Sequence, residues 1–157
     1  MTTQKKYSLQ RTLLEQESSP SSLMLTTLIE LVDAHESHGS GSHTFVLNHP
    51  ACYSVLDIEV DGPQAIWVSN LDVVGKNGKP DPRCFRKGYG RQMLALLTHA
   101  ADEHGVSLSL IAAPPAYLKR QFPSLPDKDQ LAELYAQYGF EPQSRNPAQV
   151  KMYRSPR

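Results

Sequence analysis

Residues 85–94 read Phe-Arg-Lys-Gly-Tyr-Gly-Arg-Gln-Met-Leu, with two glycines among three cationic side chains at the start of a helical pattern. From Gly90 to His104 apolar residues recur at helical spacing, and Gly105 predicts the end of that helix. The first N–H groups of a helix lack internal partners and lie at the positive end of its dipole. Because glycines let the backbone approach an anion closely, this turn predicts a phosphate or pyrophosphate site.

The glycine turn differs from two well-known phosphate-binding motifs. It lacks the Gly-Lys-Ser/Thr ending of a P-loop, and Met93 stands where a dinucleotide fingerprint has its third glycine. By itself the pair Gly88 and Gly90 predicts no more than a turn, so the interpretation depends on the segments around it.

The residues before the turn contain several predicted elements. Ala65 to Val74 is apolar enough for a central strand, and Tyr53 to Val60 alternates as a half-buried strand does. Thr44 to Leu47 predicts a shorter strand. A serine cap followed by proline predicts a helix from Pro20 to Glu36. Leu9 to Leu14 fits either a strand or a short helix.

The residues after the turn continue the same mixture of elements. Val106 to Ala113 predicts an apolar strand, and a proline-interrupted loop follows it. Asp127 with Gln130 predicts the capped start of a last helix, which Gly139 stops. Val150 to Arg154 predicts a closing strand. Together these elements indicate one α/β (α+β) domain over residues 1–157, with helices packed on a single sheet.

Composition narrows the class of protein. The chain has 157 residues and no formal net charge, which disfavours binding to a nucleic-acid backbone. It has neither the apolar stretch of a signal peptide nor the ~18 apolar residues of a membrane span. Cys52 and Cys84 are predicted to be reduced thiols, with Cys84 an unreactive neighbour of the glycine turn. A soluble cytoplasmic protein is therefore expected.

Phe85 to Leu94 resembles the acyl-CoA-binding motif of the GCN5-related N-acetyltransferase (GNAT) family, Q/R-x-x-G-x-G/A. The strand ending Leu71-Asp72-Val73-Val74 resembles the central strand of that family. Leu131 to Phe140 is similar to its L-Y-x-x-x-G-F segment, and the resemblance spans about residues 65–140 in the right order. Two departures are Phe85, where the family prefers Gln or Arg, and a long loop between Val74 and Phe85.

The resemblance implies a GNAT-like domain whose mixed central sheet has helices on both faces. It implies an enzyme, an acetyl-CoA-dependent N-acetyltransferase, in which an amine of a small molecule, peptide or protein attacks the thioester directly. Residues 65–140 would form the cofactor-binding core. The implied cofactor-binding residues are Leu71, Val73, Val74, Phe85, Arg86, Lys87, Gly88, Tyr89, Gly90 and Arg91.

Catalytic roles follow from the same resemblance. Tyr135 occupies the position of the family's general acid, although its place on an apolar helix stripe also fits a core aromatic. A backbone N–H near Val73 is the expected oxyanion donor. The sequence does not assign a general base. Glu59 and Asp72, on the central strands, are the candidates, although an ordinary exposed or hydrogen-bonded group explains each of them better.

Other interpretations stay open at this level. The chain could be a non-catalytic acyl-CoA-binding module, or an acetyltransferase that modifies a nucleic acid. No metal site is predicted, because His99 and His104 are five residues apart rather than four. A homodimer paired through the C-terminal strand is a further hypothesis.

Overall fold

A computed structural model describes residues 19–114 and 116–157 of the chain. In this part of the chain seven strands and four α-helices follow one another, together with a single 3₁₀ turn at Pro82–Cys84. The elements are α1 (Pro20–Leu31), β1 (Ala34–Ser37), β2 (Ser42–Asn48), β3 (Cys52–Val60), β4 (Ala65–Gly75), α2 (Tyr89–His104), β5 (Ser107–Ala112), α3 (Ala116–Gln121), α4 (Lys128–Ala136), β6 (Glu141–Arg145) and β7 (Val150–Arg154). The stretch Leu9–Leu14 lies outside the described residues.

The strands form one mixed sheet in the order β1-β2-β3-β4-β5-β7-β6. Among the strands of the described residues, only the β4–β5 pair is parallel, and α2 makes the crossover between these two strands. Cross-strand partners share a face, so the pairs Ile58 with Val68 and Leu110 with Met152 place their side chains on the buried side of the sheet. The mixed sheet with packed helices confirms the predicted fold class.

Two apolar helix stripes and this sheet face make the core. Met24 and Leu28 of α1 are fully buried, as are Met93, Leu94 and Leu97 of α2. The helical spacing of these residues gives each helix one apolar side, and burial of that side stabilises the helix more than its intrinsic propensity does.

The ends of α1 and α2 follow from particular residues. The Ser19 side chain accepts from the Ser22 N–H, and Pro20 occupies the first turn of α1. At the other end the prediction was wrong: α1 stops at Leu31, and Ala34 to Glu36, predicted as the end of this helix, belong to edge strand β1 paired with β2. Pairing with β2 makes these residues a strand, and no local pattern in the sequence indicates that pairing.

Two further elements differ from the predictions. Helix α3 and strand β6 were not predicted, because every residue of β6 is exposed and shows no alternation. Strand β7 has β5 on one side and β6 on the other, which leaves it no free edge for a partner chain. No helix in residues 19–114 and 116–157 is long and apolar enough to cross a membrane.

Cys52 and Cys84 form a disulfide, so the prediction of reduced thiols was wrong. The two residues are 32 positions apart, and the sheet brings them together: Cys52 begins β3 opposite Gly75 at the end of β4. The loop after Gly75 then brings Cys84 back to the start of β3. With the bond formed, the argument from free thiols to a reducing compartment no longer holds.

A buried ion pair fastens the C-terminal strand to the end of α2. Arg154, 3% exposed, donates from Nη1 and Nη2 to the Asp102 carboxylate at 2.7 and 2.8 Å, and from Nε to the Tyr138 carbonyl at 2.6 Å. The Arg154 guanidinium holds the pKa of Asp102 below its usual value. A carboxyl with a lowered pKa stabilises the fold above its unfolded-state pKa, and the contribution disappears as the pH falls through the folded-state pKa.

Asp102→Asn is therefore expected to lower the free energy of unfolding at pH 7 by about 1–2 kcal/mol, because the amide oxygen can accept only one of the two Arg154 bonds and carries no charge. Below about pH 4 the unfolded carboxyl takes up a proton before the folded one does, so the difference should shrink as the pH falls toward the lowered pKa of folded Asp102. Urea unfolding of wild type and Asp102→Asn at pH 7 and at pH 3 measures this difference in the free energy of unfolding. A constant difference would show that the charge of Asp102 contributes nothing.

Candidate functional site

Strands β4 and β5 separate partway along their length. Their pairing runs from Ala65 with Ser107 to Val68 with Leu110 and goes no further among the described residues, whereas β4 continues beside β3 to Gly75. A bulge marks the separation: Ile58 faces Val68 and Asp57 faces Asn70, so Ser69 is the extra residue. The part of β4 beyond the bulge therefore borders a cleft on the edge where β5 no longer pairs with it.

This cleft has a volume of about 600 Å³. Its walls come from the end of β4, the glycine turn with the first residues of α2, the segment before α4, and α4 itself. The lining residues are Leu71, Asp72, Val73, Cys84, Phe85, Arg86, Lys87, Gly88, Tyr89, Gly90, Arg91, Ser124, Leu125, Pro126, Gln130, Leu131, Leu134 and Tyr135.

The glycine turn opens directly into the N-terminus of α2. Gly88 is the N-cap residue with φ 80°, and no side chain caps the helix there. Gln92 N–H bonds to the Gly88 carbonyl, so the N–H groups of Tyr89, Gly90 and Arg91 precede the first helical hydrogen bond. They lie at the positive end of a 16-residue helix and line the cleft.

Backbone geometry explains the glycines of the turn. Gly88 needs its left-handed φ, which an L-residue adopts at a cost of about 1–2 kcal/mol. A Cβ on Gly90 would stand 3.6 Å from Cγ2 of Val73, where the helix start lies close to β4. Arg86 also has a positive φ, 59°, and it is a residue with a Cβ, so this position of the turn is held in a conformation that such residues rarely adopt.

Cationic side chains surround the turn. Arg86, Lys87 and Arg91 all line the cleft. Arg91 donates to the Gln137 side chain at 2.8 Å, and Arg86 donates to the Ser124 carbonyl at 3.2 Å. Arg83 instead pairs with Asp81 at the surface and does not line the cleft. An anion at the helix start would meet backbone donors and positive charge together.

The segment between α3 and α4, which forms another wall of the cleft, is held by hydrogen bonds to its own carbonyl groups and by a contact with Phe85. Lys119 donates to the carbonyl of Pro123 at 2.7 Å and to that of Leu125. Phe85 packs edge-on against Phe122, with ring centroids 5.4 Å apart. This contact gives Phe85 a structural role at a position where the resembling motif carries a polar residue.

Tyr135 projects from α4 into the deep part of the cleft. It is 8% exposed, and its ring packs edge-on against Phe140 with centroids 5.8 Å apart. Within residues 19–114 and 116–157 its hydroxyl makes no hydrogen bond. Burial and the nearby Asp72 charge raise the pKa of Tyr135 to about 12, so the hydroxyl keeps its proton at neutral pH.

Asp72 lies beside the same space on β4. Burial raises the pKa of Asp72, which the Val73 N–H opposes and the Asp57 charge reinforces. Its Oδ1 accepts from the Val73 N–H at 2.9 Å. The amide expected from sequence to hold an oxyanion therefore already donates to a carboxylate in this structure.

The structure brings most of the predicted site residues together. All of the expected cofactor-binding residues except Val74 line the cleft, together with Tyr135 and Asp72. Val74 is buried behind it, and its carbonyl lies 3.8 Å from Cys84 Sγ. Glu59 pairs with Trp67 on the far side of the bulge and does not reach the cleft.

Several lining residues were missed. Ser124, Leu125 and Pro126 come from the proline-interrupted segment, for which the sequence predicted only a loop. Leu131 and Leu134 were predicted as a core stripe of the last helix, and that stripe in fact also faces the cleft. In the described part of the chain no three His, Cys, Asp or Glu side chains group as metal ligands.

Comparison with solved structures shows which fold this is. The chain is similar to Ard1 from Thermoplasma volcanium, with a TM-score of 0.51 and 14% identity over 74% of this chain and 71% of that chain. A Bacillus subtilis acetyltransferase in complex with CoA has 14% identity and a TM-score of 0.49, covering 84% of this chain and 90% of that one. No family model matches the sequence, and no curated protein matches it.

The fold is that of the GCN5-related N-acetyltransferases, as the resemblance of the glycine turn predicted. At such low identity the likeness establishes the architecture alone, and function must be argued from the cleft.

Proposed function

We propose that this chain is an acetyl-CoA-dependent N-acetyltransferase that acts on an amine, with residues 65–140 as its cofactor-binding core. The observation that carries the proposal is the cleft itself. An uncapped helix start with two glycines lies at one end, and the unpartnered Tyr135 hydroxyl lies in the same space.

The residues present fit coenzyme A. The free N–H groups of Tyr89, Gly90 and Arg91 suit a pyrophosphate, and Arg86 and Lys87 add charge to balance it. The separated part of β4 presents Leu71 and Val73 to the cleft, where an extended pantetheine arm could bond to backbone groups that β5 leaves unpaired. Val74 would support this strand from behind.

Acetyl-CoA supplies an activated acyl group: the amine nitrogen bonds to the carbonyl carbon, the carbon–sulfur bond breaks, and the amine proton and the thiolate must each be accommodated. The Val73 N–H would donate to the thioester oxygen in place of the Asp72 carboxylate, which it now contacts. Asp72, whose pKa is raised, is then the better candidate to accept the amine proton. Glu59 is too remote from the cleft for this role.

Tyr135 would stabilise the departing thiolate. With a pKa of about 12 its hydroxyl is a weaker acid than a thiol of pKa ~8.5, so full proton transfer to sulfur is uphill. Its contribution is a hydrogen bond that strengthens as negative charge develops on sulfur. The Tyr135 hydroxyl is open to the cleft and donates to no protein group among the described residues. A module that only binds acyl-CoA has no need of such a donor at the reacting end of the ligand, and this favours an enzyme.

Gly88→Ala is expected to raise the Kd for acetyl-CoA at least tenfold, because the alanine disfavours the left-handed turn and puts a methyl group beside the anion site. Gly105→Ala is the matched control. Gly105 caps the other end of α2 with φ 68°, and a Cβ at either glycine meets nothing within 4 Å. Both variants should therefore lose about 1–2 kcal/mol of stability from backbone strain.

Calorimetry and thermal unfolding with acetyl-CoA measure the outcome. At 100 times its Kd the ligand should add about 2.7 kcal/mol to the stability of the wild-type protein. Only Gly88→Ala should lose a large part of that gain, about 1.3 kcal/mol for a tenfold higher Kd at the same ligand concentration. A wild-type protein that gains no stability from acetyl-CoA would refute the proposed function.

A further inference from the structure

The hairpin turn between β2 and β3 supports the glycine turn from behind. His49, in this hairpin turn, is 8% exposed and stacks on Tyr89 with ring centroids 3.9 Å apart and planes inclined by 13°. Tyr89 is the first residue of α2 and the middle residue of the Gly88-Tyr89-Gly90 turn. The ring of His49 does not line the cleft, so a contact with a ligand does not explain its burial.

A chain of hydrogen bonds runs from His49 to the backbone of the turn. The fully buried Ser54 on β3 donates from Oγ to the Tyr89 carbonyl at 2.8 Å, and His49 Nε2 lies 2.7 Å from the same Oγ. A serine hydroxyl carries one hydrogen, and here it goes to Tyr89. The second contact must then be a bond from a protonated His49 Nε2 to Ser54 Oγ.

These contacts define the tautomer of His49. Burial lowers its pKa, the Lys76 charge lowers it further, and Asp33 opposes both, so the ring is neutral at pH 7. The neutral ring carries its proton on Nε2, and Nδ1 has none.

The peptide group between Tyr89 and Gly90 links these hydrogen bonds to the cleft. The Tyr89 carbonyl and the Gly90 N–H belong to the same planar group and point in opposite directions. Ser54 holds the carbonyl, which fixes the direction of the Gly90 N–H on the cleft side. We propose that His49 and Ser54 are positioning residues that aim the Gly90 N–H at the pyrophosphate of coenzyme A. This inference rests on the proposed function.

Ser54→Ala tests the proposal. It should weaken CoA binding, and also inorganic pyrophosphate binding, by about tenfold, the loss expected when one well-aimed donor is released. At saturating acetyl-CoA the kcat should change little, because the reacting atoms lie elsewhere. His49→Phe keeps a ring on Tyr89 without the donor and should weaken binding similarly, and the double variant should bind no worse than either single one.

Ser21→Ala is the matched control. Ser21 is also a buried serine, 1% exposed, and donates to a backbone carbonyl, that of Gly62, at 2.7 Å. It lies on α1, away from the cleft, so its loss should lower stability as much as Ser54→Ala does and leave CoA binding intact. Equal CoA affinity in Ser54→Ala and wild type would overturn the proposal.

Nitrogen NMR of the wild-type imidazole provides a readout that needs neither activity nor a folded variant. The proposal requires a proton on Nε2 of His49, and a proton on Nδ1 alone would contradict it. If wild-type protein fails to bind CoA, the proposed function fails. In that case the chemical shift of the Gly90 amide in Ser54→Ala still tests the positioning role. A chemical shift different from that of wild type supports the role, and an identical one contradicts it.

Discussion

Tyr135→Phe is expected to lower kcat about 100-fold while leaving the affinity for acetyl-CoA nearly unchanged. Removing one positioned hydrogen-bond donor to developing negative charge costs roughly 10²–10³-fold in kcat, and a donor whose pKa is raised to about 12 belongs at the lower end of that range. The ring itself packs against Phe140 and remains in the variant, so the cleft keeps its shape.

Stability separates the catalytic role of Tyr135 from a structural one. Because its hydroxyl has no protein hydrogen-bond partner among the described residues, the phenylalanine variant should unfold at the same denaturant concentration as wild type. Release of free thiol from acetyl-CoA, followed with a saturating amine, gives kcat. Tyr138→Phe is the control, since Tyr138 packs on the core and does not line the cleft. Unchanged turnover in Tyr135→Phe would remove this residue from the mechanism.

Replacing both cysteines with alanine is expected to lower the free energy of unfolding by about 3–4 kcal/mol. The bond joins residues 32 positions apart, and the loop-entropy relation for a cross-link of that span gives this magnitude. Both cysteines are 2% exposed, so alanine introduces no unpaired polar group. Urea unfolding with and without a reductant measures the loss. The wild-type protein should approach the variant only when the reductant is present.

The same substitution should also weaken acetyl-CoA binding, because Cys84 directly precedes the glycine turn and lines the cleft. Released from β3, the turn samples more conformations and must be ordered again when the ligand binds. Equal stability of the double variant and the oxidised wild-type protein would show that the disulfide contributes nothing to the fold.

Local signals were sufficient to predict the parts of the site that depend on neighbouring residues. The glycine turn, helix α2 and its Gly105 cap could be read from short stretches, because capping and helical periodicity act within a few residues. The capping box of Asp127 and Gln130 was predicted for the same reason, and both of its hydrogen bonds are present.

Features that depend on contacts distant in sequence were not predicted. The pairing of Ala34–Ser37 with β2 ended α1 early, and the return of Cys84 to Cys52 made a disulfide from two isolated thiols. His49 and Ser54 drew no attention, because a histidine before a proline and a serine in a strand carry no recognisable pattern. Their role depends on where the start of α2 lies against β3, which only the folded chain specifies.

One residue holds both ends of the loop that precedes the glycine turn. Cys52 pairs with Gly75 in the sheet and is bonded to Cys84, so the loop departs from and returns to the same point on β3. The number of residues between these ends can therefore change without moving either β4 or the turn, and lengthening such a loop costs little entropy. Insertions there would change the surface between β4 and the glycine turn while the turn itself stays in place.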